Sequence, residues 1–242
     1  MNMEKKFELT DNFIINAFGV KLFQIKCTKS FKYAKEGDLG GYVEKDENLD
    51  QESDAWVSGD AWVSGDARVS GDAWVSGDAW VYGNAEVSGD ARVYGNAWVS
   101  GDAWVSGDAR VYGDARVSGD AWVYGNAEVS GDARVYGDAR VYGDARVSGN
   151  ARVSSDARVY GDAEIDNNNK HCGFDCFGSA NRHTHAYLTK ENKVEITCGC
   201  FRGSIEEFEK KVEETHSGTV YEKQYKSIIN VIKIKFGLTD FT

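Results

Sequence analysis

Between Asp54 and Asn167 apolar and polar positions recur under a strict six-residue period. Each unit reads Asp/Asn-Ala-x-Val-Ser/Tyr-Gly, from Asp54-Ala55-Trp56-Val57-Ser58-Gly59 to the looser Asp162-Ala163-Glu164-Ile165-Asp166-Asn167. Nineteen such hexads follow one another without insertion or deletion. Ala and Val stand two apart, and residues two apart in an extended chain point to the same side. Both are therefore expected inside, with the residue between them and the Ser or Tyr outside. Gly permits positive φ at a corner, and the following Asp or Asn bonds nearby backbone in a turn. The unit is a short strand plus a corner. It cannot bury its apolar side alone and must stack on its neighbours. Three units close a triangular coil of about 18 residues, and successive coils stack at about 4.8 Å. Nineteen hexads then make about six coils.

Residues 18 apart should share an outward row. One row runs Trp62, Trp80, Trp98, Arg116, Arg134, Arg152. A second runs Trp56, Trp74, Arg92, Arg110. The third runs Arg68, Glu86, Trp104, Trp122, Arg140, Arg158. Tyr94 with Tyr112, and Tyr124, Tyr142 and Tyr160, form shorter ladders. These rows could simply stiffen the prism. Exposed aromatics rimmed by charge also mark binding surfaces, which makes Trp56, Trp62, Trp74, Trp80, Trp98, Trp104 and Trp122 the candidate binding residues.

The unit Val63-Ser64-Gly65-Asp66-Ala67-Arg68 resembles the motif of hexapeptide-repeat, left-handed parallel β-helix proteins. The resemblance covers the whole block and supplies the hand, which the period alone does not. The lead-in Gly37-Asp38-Leu39-Gly40-Gly41-Tyr42-Val43-Glu44-Lys45-Asp46-Glu47-Asn48-Leu49 is similar to that of bacterial and phage repeat proteins of transferase-like type. Acyltransferases of this fold use a His and a coil-breaking loop, its carbonic anhydrases use His ligands, and its ice-binding members use Thr arrays. Residues 54–167 contain no His, Cys, Thr or loop, so the resemblance implies fold without those activities.

The flanks differ. Residues 1–53 are expected to cap the first coil, with strands at Phe7-Glu8-Leu9, Val20–Ile25 and Tyr42-Val43-Glu44, because an open solenoid end exposes core and strand edges. Residues 168–242 read as a ββαα module. A hairpin joins Ala186–Lys190 to Val194–Cys198. A capping box at Ser204-Ile205-Glu206-Glu207 opens a helix through about Thr215. A second helix covers about 220–236, with Tyr221, Tyr225, Ile228, Ile229, Ile232 and Phe236 on its apolar side. Gly178–Arg182 and Cys198-Gly199-Cys200-Phe201-Arg202-Gly203 through His216 look like the tail of phage-encoded repeat proteins.

Charge and cysteine content narrow the function. Net charge is −11, and the hexads alone hold sixteen Asp and three Glu against nine Arg. So acidic a prism disfavours contact with a phosphate backbone, leaving nucleic-acid mimicry as the alternative. No apolar run is long enough to span a bilayer. Met1-Asn2-Met3-Glu4-Lys5-Lys6 lacks the apolar centre of a signal peptide. Five Cys suit free thiols in a reducing cytoplasm. Four of them, Cys172, Cys176, Cys198 and Cys200, fall in the tail with all four His and form a candidate zinc set, although the spacing is not that of paired knuckles. Cys198 or Cys200 beside His183 or His185 is the candidate nucleophile pair. No catalytic residue is assigned, and zinc is the only cofactor in view. The expectation is a cytoplasmic, non-catalytic, homo-oligomeric β-helix that binds a host protein or small ligand, encoded by a phage or mobile element. An enzyme working through the Cys/His tail and a structural assembly unit are the rival classes.

Overall fold

The computed structural model describes residues 5–238. Residues 1–4, on which the expectation of no signal peptide partly rests, lie outside them. Three strands precede the repeat: β1 (Phe7–Ile15), β2 (Lys21–Cys27) and β3 (Leu39–Val43). Each hexad then forms one short strand, nineteen in all, from β4 (Trp56–Val57) to β22 (Glu164–Ile165). Each pairs in parallel with the strand one coil on, as in Trp98↔Arg116 and Val99↔Val117. Three stacks result, and every repeat Ala and Val is buried between them. The chain is therefore a parallel β-solenoid.

The solenoid has about seven turns rather than six, because the longest repeat stack has seven strands and the cap contributes to the first turn. Tyr42↔Trp62 and Val43↔Val63 pair in parallel, and Leu49 bridges Val69 the same way. The cap segment lacks the hexad, so periodicity did not reveal it as a coil. Antiparallel β1 and β2 then extend the same sheet outward.

Backbone pairing explains why this end needs its cap. In the stack the Trp98 amide donates to the Ala115 carbonyl at 2.9 Å, and the pattern repeats along the prism. Carbonyls of the first coil have no earlier coil beneath them, and unpaired buried carbonyls are costly. Amides of Tyr42, Glu44 and Asp50 donate to the carbonyls of Ala61, Val63 and Val69. The fully buried Asn48 donates through Nδ2 to Gly65 O at 3.0 Å and Ala67 O at 2.8 Å. Lys6 Nζ donates to Ser53 O and Ala55 O at 2.6 and 2.8 Å. Burial lowers the Lys6 ammonium to about 8.

The tail departs from the expected ββαα order. It has four antiparallel strands, β23 (His171–Phe177), β24 (Arg182–Leu188), β25 (Val194–Cys198) and β26 (Phe201–Gly203), followed by α1 (Ile205–His216) and α2 (Val220–Lys235). The hairpin turn holds, with Asn192 at φ 58°. So does the capping box, in which the Ser204 amide donates to Glu207 Oε2 and the Glu207 amide to Ser204 Oγ. Strand alternation gives the tail sheet two unlike faces. Ala186, Ile196 and Cys198 pack against Phe208, Val212, Ile228, Ile229 and Ile232 of the helices. His185, Tyr187 and Thr197 face the last coils, where they reach the Arg158 and Tyr160 carbonyls. Among the described residues no helix is long and apolar enough to cross a membrane.

Candidate interaction surface and tail junction

The solenoid register builds the expected ladders. Trp62, Trp80 and Trp98 stack with ring centroids 4.8 and 4.6 Å apart, and Arg116 lies 4.3 Å above Trp98. Tyr94 stacks on Tyr112, and Tyr124, Tyr142 and Tyr160 form a column. Arg202 of the tail closes that column 4.1 Å over Tyr160. Arg202 is itself held by an ion pair to Glu195.

The seven Trp are not equivalent, and two lie where an outward position does not expose them. Trp56 is 3% and Trp62 4% exposed. Phe31 of the cap packs edge-on to Trp56, Phe18 packs on Trp62 and Tyr82, and Tyr33 stacks on Trp74 at 5.8 Å. The N-terminal segment thus folds down over the first coils and covers the outward side as well as the open end. Trp80 and Trp98 are half-buried in their own ladder. Trp104 and Trp122 remain, 38% and 36% exposed and edge-to-face at 5.1 Å. Trp104 Nε1 donates to Ser88 Oγ at 3.1 Å, which fixes its ring. Arg140 lies 4.8 Å over Trp122, so this face passes from aromatic to cationic toward the tail.

Above Arg140 comes Arg158, one strand on in the same stack. Arg158 Nη1 donates to Gly199 O at 2.8 Å, joining solenoid and tail. A cleft of about 370 Å³ opens there, lined by Asp138, Arg140, Asp156, Arg158, Arg182 and His183 among others. A larger cleft of about 1160 Å³ lies between the cap and the first coils. Its Lys5 pairs with Asp46, and its Lys6 is spent on backbone carbonyls.

Two tail cysteines, Cys172 and Cys198, lie on the helix-packed face of the sheet, and the other two lie at a bulge and a turn. All five cysteines are free. Cys172 is half-buried against the helices, and burial pushes its thiol up to about 11, away from thiolate. Cys198 is buried and accepts from Thr184 Oγ1 at 3.3 Å. Cys176 and Cys200 are exposed, the first on a bulge at φ 62°. Among the described residues no three His, Cys, Asp or Glu side chains are gathered as a metal ligand set. His185 pairs in register with Thr197, while Cys198 pairs with Thr184, so His185 and Cys198 point to opposite faces of the sheet.

The histidines gather instead at the junction. His171 Nδ1 and His185 Nε2 are 3.0 Å apart, and His185 Nδ1 lies 3.4 Å from the Arg158 carbonyl. Burial lowers His171 to about 4, with Lys235 adding to the effect. Burial, then His171 and His183, hold His185 well below the usual imidazole range. His183 Nδ1 meets Asp175 Oδ1 at 2.5 Å. Nothing in the hexad pattern pointed to this layer. The alternation His183-Thr184-His185-Ala186-Tyr187 was the available signal, since it puts three aromatic polar groups on one side of a strand.

The fold and this surface define a β-solenoid capped at both ends by its own flanks. The repeat family described as YdcK beta solenoid repeat matches the chain at residues 61–77, 67–83, 91–107, 109–125, 127–143, 133–147, 139–155 and 145–161, all inside the hexad block. Comparison with curated proteins gives no match.

Proposed function

We propose that this chain is a non-catalytic binding protein whose partner docks on the column Trp104–Trp122–Arg140. One observation carries the reading: two indoles stand exposed at mid-prism, and among the described residues none of the cap or tail stacks on them. The adjoining Arg140 suits a partner that offers an acidic group beside an apolar one, as a protein surface does. The uninterrupted solenoid beneath is a rigid base, which lowers the ordering cost of binding. The resemblance of lead-in and tail to phage-encoded repeat proteins supports a host factor as that partner, and the hexapeptide resemblance supports a left-handed coil. Exposed Val220, Val231 and Ile234 on α2 support self-association through the tail. Five free thiols support a reducing compartment.

The test is capture of host proteins by tagged wild-type chain and by Trp104→Arg/Trp122→Arg. Arg already occupies equivalent outward positions, as at Arg116 and Arg134, so the double variant should fold and melt like wild type. It should lose the partner that wild type retains, while Arg146→Ala on another stack keeps it. Capture unchanged by the double variant would overturn the assignment.

A further inference from the structure

We propose that the cleft at the solenoid–tail junction is a binding site for a small hydroxylated phosphate monoester. Three arginines line it from two separate units, the solenoid and the tail. Arg140 and Arg158 are neighbours in one parallel stack, one strand spacing apart. Arg182 enters from the start of β24 and lies over Gly199, with its Cδ and Nη1 2.7 Å from where a Cβ would stand. A side chain at position 199 would fill the space that the arginine uses. The Arg158 bond to Gly199 O fixes a second guanidinium against the same turn.

These charges are not spent on carboxylates. Among the described residues, arginine ion pairs join Arg110 and Arg146 to Glu128 and Arg202 to Glu195. Arg140, Arg158 and Arg182 form none. Asp138 and Asp156 line the same hollow without forming ion pairs to these arginines, so three guanidinium charges face two carboxylates and an anion would offset the excess. Planar guanidinium forks match the oxygens of a phosphate. His183 forms part of the cleft wall, held there by the contact of its Nδ1 with Asp175 Oδ1.

The rest of the lining narrows the ligand. Asp138 and Asp156 stand at the rim, each two residues before an arginine. They would repel a bare anion but accept hydrogen bonds from hydroxyl groups attached to it. A hollow of about 370 Å³ suits a small molecule and not a folded partner. Phosphate toward the arginines and hydroxyls toward the two aspartates satisfies both halves of the lining.

Titration calorimetry at low salt with ribose 5-phosphate, inorganic phosphate and ribose tests this. Ribose 5-phosphate should bind saturably at one site per chain, inorganic phosphate more weakly, and ribose not at all. Arg140→Ala and Arg182→Ala should each weaken ribose 5-phosphate at least tenfold, while Arg134→Ala, on a different stack, should leave it unchanged. Absence of saturable binding to wild type would overturn the site. An equal loss in Arg134→Ala would reduce it to general charge attraction, and equal affinity for inorganic phosphate would overturn the ester assignment. Arg182 takes no part in the aromatic column, so Arg182→Ala should keep protein capture. The two proposals therefore fail separately.

Discussion

Replacing Gly101 by Ala should destabilise the solenoid by about 2–4 kcal/mol, and the reason is the coil above it. Gly101 sits at a corner with φ +70°. A residue bearing a Cβ pays about 1–2 kcal/mol in that conformation. The added carbon would also lie 2.9 Å from the Gly119 amide nitrogen and 3.1 Å from its carbonyl oxygen. Both are backbone atoms locked in the next coil, so relief requires the coils to part, and overpacking of this kind costs about 1–3 kcal/mol. The smaller unfolded-state entropy of Ala returns about 0.4–1 kcal/mol. Ser155 is the internal control. It occupies a corner at φ 57°, but its stack ends at β20 (Arg152–Val153), so no further coil lies over it. With no coil above it, a Cβ is tolerated at this corner, and Ser155→Ala should shift stability by less than about 0.5 kcal/mol. Urea melts followed by far-ultraviolet circular dichroism and Trp fluorescence would measure both. A Gly101→Ala midpoint within error of the Ser155→Ala midpoint would refute the stacked-corner account.

Two further outcomes are expected. Asn48→Leu should cost about 2–4 kcal/mol, because it strands the buried Ala67 carbonyl and the partly buried Gly65 carbonyl, which no other donor among the described residues reaches; an unchanged melting temperature would show that the cap does not seal that edge. Lowering the pH should loosen the tail before the prism. His171 and His185 are neutral in the folded junction and gain a proton on unfolding near the usual pKa of about 6.5. Their contribution is complete above that pH and is lost as pH falls toward about 4, the His171 value. The slope is about 1.4 kcal/mol per pH unit for each group. Hydrogen exchange should show β24 losing protection between neutrality and pH 5 while the Val/Ala stacks keep theirs, and equal protection at both pH values would sink the idea.

Much of the fold was legible because its forces are local and periodic. The Ala/Val alternation sets the inward side, and the spacing of the hexads sets which residue lies over which, so the Trp98–Arg116 and Tyr142–Tyr160 contacts followed from arithmetic on the sequence. What escaped depends on distant partners. β3 joins the stack through Tyr42↔Trp62 without bearing the hexad, so no period announced it. β26 is three residues long, and β23 mixes Gly, Asp and Cys with Phe; both are strands because the hairpin beside them offers an edge. The exposure of each Trp was equally hidden. Trp56 and Trp104 have the same local context, yet only the first lies beneath Phe31.

That difference is what gives the mid-prism surface its meaning. Trp residues at Trp56, Trp62 and Trp74 serve the N-terminal segment, which needs large flat partners for Phe31, Phe18 and Tyr33. Trp80 and Trp98 continue the Trp62 ladder and end under Arg116. At the other end Arg158 and Tyr160 serve the tail, through Gly199 and Arg202. Docking of the flanks thus accounts for the aromatic bias of the early coils and part of the arginine bias of the late ones. Trp104 and Trp122 fall in neither group. Arg replaces Trp at their level on the other stacks, in Arg110 and Arg116, so the prism does not need an indole there for its own stability. An indole kept in water where arginine would fold as well is an unspent apolar surface. That is the ground for the proposed interface on this column and not on the Trp ladders as a whole.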